Sequence, residues 1–154
     1  IHVSGTDRVY EASKKLNLQN NDYVINVQGD EPMIDPEDIR NLNKISKINK
    51  FDYSTLAFDI KNKKDYINKN IVKVLTRNKI SNSMASIGLN FSRKVVNNND
   101  NIYHHYGIYL YKFSILEKFV NLKQSDIKEA IQPCCAVYSI RFIFCIYLIL
   151  PSTI

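Results

Sequence analysis

Between residues 22 and 48 the chain carries a pattern that belongs to an alternating α/β sheet. Residues 22–27 form a short run rich in Val and Ile, closed by Gln28, Gly29 and Asp30, which reads as a buried strand ending in a loop. Asp35-Pro36-Glu37-Asp38 then reads as a helix start. Asp35 can cap free backbone N–H groups, Pro36 suits the first helical position, and two acids suit the positive end of the dipole. Ile39, Leu42, Ile45 and Ile48 fall three apart on one face, so the helix is amphipathic. The same reasoning predicts strands at 53–60, 71–76, 86–91 and 106–111, and helices at 7–16, 114–121 and 125–132. Strand, helix and strand in succession imply an α/β sheet with helices on both faces, whose ligands gather at the carboxyl ends of strands.

Composition excludes several functions. Lys and Arg exceed Asp and Glu by 21 to 15, but the excess is scattered, with no run of five like charges. A nucleic-acid partner is therefore not expected. Cys134, Cys135 and Cys145 all fall in the last 21 residues without Cys-x-x-Cys spacing, which argues against a zinc site or a disulfide framework. The chain opens at Ile1 without the basic start and apolar run of a secretion signal, and reads as a piece of something longer. Near Gln132 and Pro133 the composition shifts, dividing residues 1–132 from an apolar tail at 133–154. Residues 133–150 are at the lower limit of a membrane span, and Arg141 near the middle would cost about 3 kcal/mol there. A membrane anchor, a buried strand and non-native coding sequence are the three readings of this tail, and the last fits best.

Three constellations carry candidate chemistry. The loop Gln28-Gly29-Asp30-Glu31-Pro32 delivers two carboxylates to a strand tip, where Gly29 admits a conformation or a close approach and Pro32 stiffens the exit. Paired acids suit magnesium, although a polar turn ahead of a helix has the same local pattern. His2-Val3-Ser4-Gly5-Thr6-Asp7-Arg8 leads into a helix, so its hydroxyls and N–H groups can either meet an anion or nucleobase or simply cap the helix. In His104-His105-Tyr106-Gly107-Ile108-Tyr109-Leu110-Tyr111, strand alternation puts His105, Gly107, Tyr109 and Tyr111 on one polar-aromatic face. That face could line a sugar pocket or hold a satisfied, half-buried histidine.

In order and separation, these motifs resemble the 3-deoxy-manno-octulosonate (Kdo) cytidylyltransferases, the CMP-Kdo synthetases. The resemblance rests on His2-x-Ser4-Gly5-Thr6-Asp7-Arg8, the block from Val24 to Ile34, Asn68-x-Asn70-x-Val72-Lys73-Val74, Phe91-Ser92-Arg93 and His105-x-Gly107-Ile108-Tyr109-x-Tyr111. It covers about residues 1 to 132 and implies a Rossmann-like nucleotidyltransferase sheet with helices on both faces. The implied reaction transfers CMP from CTP to Kdo, releasing pyrophosphate, for lipopolysaccharide synthesis in the cytoplasm. Residue by residue, it implies that Asp30 binds Mg2+ beside Gln28 as the catalytic pair, and that Ser4, Gly5 and Arg8 recognise cytidine. It also implies that Arg93 meets the Kdo carboxylate as a two-pronged ion pair while His105 and Tyr109 bond the sugar hydroxyls. Relatives of this family are typically dimers, which makes a homodimer an open expectation.

Departures from the family pattern matter equally. A first strand with a basic loop of the type Pro-Ala-Arg-x-x-Ser-x-Arg, which holds the triphosphate, is missing, as is a late metal-binding aspartate. After Arg93 the expected Ile-Pro is replaced by Val95-Val96 and an Asn-rich loop. Little activity is expected from this piece alone. A cytidylyltransferase for sialic acid and a non-catalytic remnant are the rival readings.

Overall fold

The computed structural model describes residues 4–29, 34–81, 84–94, 101–121 and 147–149. The expected helix at 125–132, the tail apart from residues 147–149, His2, and the acids Asp30 and Glu31 lie outside them. Ten elements follow one another: α1 (Gly5–Lys15), β1 (Tyr23–Val27), α2 (Pro36–Asn49), β2 (Tyr53–Asp59), α3 (Lys63–Ile67), β3 (Lys73–Thr76), β4 (Ser86–Ser92), β5 (Ile102–Lys112), α4 (Phe113–Val120) and β6 (Tyr147–Ile149).

The spine is β5, rich in Ile and Tyr, residues that suit a pleated and buried surface. One of its edges pairs antiparallel with β2 from Tyr103 to Tyr111. The other edge pairs antiparallel first with β3, through Ile102 to His104, and then with β1, through Ile108 to Lys112. β1 and β2 therefore point the same way, joined by α2, with β5 running against both. β3 pairs antiparallel with β4, and β6 lies between β2, parallel, and β4, antiparallel.

Helices cover both faces, as the sequence predicts. Tyr53, Ala57, Tyr103, Tyr109 and Tyr111 form one core cluster with Leu116 of α4, and Val9 and Tyr10 of α1 pack against it. Leu56, Ile108 and Leu110, on the opposite side of the same strands, form the second cluster with Leu42 of α2.

The start of α2 holds in detail, but Ile48 is 68% exposed instead of sharing the apolar face. The reason is that residues spaced by three drift around the helix, while the buried positions Asp38, Leu42 and Ser46 are spaced by four. Asp35 accepts a hydrogen bond from the Glu37 N–H at 2.8 Å and Pro36 opens the helix. Several boundaries differ by one to four residues, and two of the shifts have a visible physical reason. α1 starts at Gly5 rather than residue 7, because Ser4 and Asp7 form a reciprocal capping box in which the Ser4 N–H donates to the Asp7 carboxylate at 2.7 Å. β5 starts at Ile102 rather than residue 106, because pairing with β2 and β3 overrides the polar character of His104 and His105. The unforeseen α3 is five polar-rich residues without a buried side chain, and its one local signal is the Asn62 cap onto the Lys64 N–H.

Candidate active site

The sheet changes partner at one place. β1 ends at Val27 opposite Ile108, and the His105 N–H donates to the carbonyl of Val72, just before β3, at 2.9 Å. One edge of β5 thus passes from β3 to β1 across His105 to Gly107. The Gln28–Gly29 turn and the Ile71–Val72 segment both arrive there. Open α/β sheets favour ligand sites at such switch points, outside the carboxyl end of a strand such as β1.

A bulge marks the same spot. Leu56 pairs with Tyr106 while Thr55 pairs with Tyr109, so Gly107 and Ile108 are extra residues on β5. Two extra residues preserve the alternation, which is why His105, Tyr109 and Tyr111 keep the common side that the sequence predicts. Bulges of this kind re-aim side chains beside functional sites.

The expected sugar-facing surface is more deeply buried than its pattern suggested. Tyr109 is 8% and His105 5% exposed. The His105 ring meets Phe91 edge-on at 5.1 Å and lies 5.5 Å from Tyr109, and its Nε2 is 3.0 Å from Thr55 Oγ1. Burial, helped by the neighbouring His104, lowers the His105 pKa to about 3, so the ring is neutral. Alternation identifies which residues share a side, but not that α1 and α4 cover part of it.

Arg93 follows β4 and stands beside β3. Its Nη1 donates to the carbonyls of Asn70 at 3.0 Å and Lys69 at 3.3 Å. Both hydrogens of Nη1 are thereby used within the chain. Lys73, which the sequence reading quoted only as part of a motif, is 1% exposed. Its ammonium donates to the carbonyls of Asn68 at 2.6 Å and Arg93 at 3.1 Å. Burial, with the Arg93 charge, lowers its pKa. Among the described residues no carboxylate pairs with Lys73 or Arg93, leaving two cations together beside the partner switch. The signal for Lys73 was a single cation between Val72 and Val74 on a strand, where a charge has to be satisfied by buried acceptors.

Gln28 and Gly29 are exposed at the end of β1. Gly29 has no positive φ, and a Cβ built on it meets no heavy atom within 4 Å, so neither backbone conformation nor packing within the described chain calls for glycine there. Ser4, Gly5 and Arg8 are exposed at the start of α1. The C-terminal end of α1 joins the start of β1 through a short connection, and Val9 packs in the same cluster as Val24 and Tyr109. α1 packs on α4, with the Tyr10 ring stacked on Phe113 at 5.9 Å and its hydroxyl donating to Glu117 at 2.9 Å. Among the described residues no hydrogen bond joins Ser4, Gly5 or Arg8 to Gln28, Arg93 or His105.

Among the described residues no group of three or more His, Cys, Asp or Glu side chains could hold a metal, and no helix is long and apolar enough to cross a membrane. Asp30 and Glu31 continue directly from the exposed Gln28–Gly29 turn, and their carboxylate oxygens are the hard donors that magnesium takes. The donor chemistry fits the ion.

Comparison with known proteins shows the family. Residues 2–139 match the family model described as cytidylyltransferase, and the chain belongs to that family. It is 40% identical over 138 residues to the 3-deoxy-manno-octulosonate cytidylyltransferase of Thermodesulfovibrio yellowstonii, covering 83% of this chain and 54% of the relative. The enzyme of the same name from Elusimicrobium minutum is 38% identical over 130 residues, covering 82% of this chain and 52% of the relative. A CMP:2-keto-3-deoxy-manno-octonic acid synthetase solved in complex with CTP superposes with a TM-score of 0.63 at 30% identity, over 79% of this chain and 49% of that one. The chain spans about half the length of the curated relatives it matches.

Proposed function

We propose that this chain carries the sugar side and part of the nucleotide side of a site that transfers CMP from CTP to Kdo, giving CMP-Kdo and pyrophosphate. The observation that carries the reading is the convergence on the β5 bulge of the Gln28–Gly29 turn with Lys73, Arg93 and His105. Two cations without a carboxylate suit an acidic sugar, and a neutral, buried histidine suits a hydroxyl. The cytidylyltransferase family and the relatives named for this activity support the choice of nucleotide and sugar.

No covalent enzyme intermediate is needed. The anomeric hydroxyl of Kdo attacks the α-phosphorus of CTP, and the bond to pyrophosphate breaks. The protein's part is to hold the attacking and leaving groups in line and to balance charge. Arg93 orients the carboxylate, His105 and Tyr109 hold hydroxyls, and Gln28 faces the junction of nucleotide and sugar. Ser4, Gly5 and Arg8, at an exposed helix start, recognise cytidine. Asp30, with Glu31 beside it, would hold Mg2+, which when bound neutralises phosphate charge.

Pyrophosphate release tests this reading. The protein is mixed with CTP, magnesium and either Kdo or sialic acid, and CTP binding is followed by calorimetry. CTP binding is expected, with a pyrophosphate release that is slow, since little activity is expected from this piece alone, but specific to Kdo. Release with sialic acid but not Kdo, or no binding of CTP, would overturn the assignment.

A further inference from the structure

Thr55 Oγ1 is 2.5 Å from the carbonyl oxygen of Ile108, 3.1 Å from that of Tyr106 and 3.0 Å from Nε2 of His105. A hydroxyl has one hydrogen to give, and carbonyl oxygens can only accept. Two oxygens at 2.5 Å repel unless a hydrogen lies between them, so the Thr55 hydrogen points to the bulge carbonyls. The third neighbour must then donate to the Thr55 oxygen. Only a protonated Nε2 can do so. Both residues are buried, which makes the unpaired alternative costly.

From this count we propose that Thr55 is a positioning residue that fixes His105 as the Nε2–H tautomer, so that Nδ1 is an acceptor. An Nδ1 acceptor takes a hydrogen bond from a hydroxyl and offers nothing to a carboxylate. His105 would then discriminate the hydroxyl side of the sugar, leaving the carboxylate to Arg93. The bulge is what makes this possible, since it turns the carbonyls of Tyr106 and Ile108 onto one hydroxyl and leaves the oxygen's acceptor side to His105. The discrimination, though not the tautomer, rests on the reading of the site as one for Kdo.

Long-range 1H–15N correlation of the imidazoles reads the tautomer directly in the intact protein. The wild type is expected to show Nε2–H for His105. Thr55→Ser, which keeps the hydroxyl, should retain that pattern, and Thr55→Val should lose it. An Nδ1–H pattern in the wild type, or an unchanged Nε2–H pattern in a folded Thr55→Val, would overturn the proposal. The wild-type spectrum decides even if Thr55→Val does not fold.

Titration of the CTP complex with Kdo supplies the second arm. Thr55→Val should weaken Kdo about tenfold with CTP affinity unchanged, Thr55→Ser restoring it, as expected for one buried hydrogen bond. Equal Kdo affinity in all three proteins would overturn the positioning role. Failure of the wild type to bind Kdo would instead overturn the sugar assignment, with the tautomer still decided by the spectrum.

Discussion

Lys73 holds the Arg93 backbone, and the side chains of both residues hold the turn at residues 68–70. The Lys73 ammonium donates to the Arg93 carbonyl at 3.1 Å and to the Asn68 carbonyl at 2.6 Å, while the Arg93 guanidinium donates to the carbonyls of Lys69 and Asn70. Two cations thereby fasten one turn to the end of β4, beside the place where β5 changes partner.

Replacing Lys73 separates charge from volume. Lys73→Met keeps an aliphatic stem and removes a desolvated charge, so stability should stay within about 1 kcal/mol of wild type. Lys73→Ala also leaves a cavity and should cost about 2–3 kcal/mol. Urea unfolding measures both. Amide exchange at residues 68–71 should quicken in both variants, because the turn loses its anchor.

His105 gives the fold an acid-sensitive term. Its folded pKa of about 3 lies below the ordinary 6.5, so below pH 6.5 the unfolded chain binds a proton that the native ring refuses. Stability should fall as pH drops from 6.5 toward 3, by as much as about 4 kcal/mol from this group. His105→Gln should flatten that part of the stability–pH profile relative to wild type, as measured by urea midpoints across the range. Parallel profiles for the two proteins would contradict the assignment.

Two helix caps, one outside the proposed site and one within it, separate stability from binding. Asp35→Ala removes the bond to the Glu37 N–H, and Ser4→Ala removes the capping box of α1. Each should cost about 1 kcal/mol in chemical denaturation. Asp35→Ala should leave CTP affinity unchanged, whereas Ser4→Ala should reduce it, since Ser4 also faces the nucleotide in the proposed site.

Asp30→Ala should abolish magnesium-dependent binding of CTP while leaving the fold intact, with the unfolding free energy changed by no more than about 1 kcal/mol. Calorimetry with and without magnesium checks this. Unchanged magnesium dependence would refute the metal assignment.

Most of the architecture was legible because it rests on local rules. Asp35-Pro36 announced α2, and the alternation of His105, Tyr109 and Tyr111 correctly placed them on one side of β5. The bulge at Gly107 and Ile108 was not legible, since it depends on how two distant strands keep register. The same holds for Thr55, an ordinary strand residue until the bulge carbonyls turn toward it. Lys73 was visible as part of a motif, yet its burial arises from β4 and the 68–71 turn closing over it. The strand ends could be read in sequence, but their meeting on one edge of β5 is a property of the sheet order.

Amide chemical-shift mapping tests the location of the site most directly. Kdo is added to the protein with CTP and magnesium, and the backbone amides are followed. The account predicts the largest shifts at Gln28, Gly29, Val72, His105 and Gly107, the residues around the partner switch. Shifts confined to other parts of the chain, with those five amides unmoved, would contradict it.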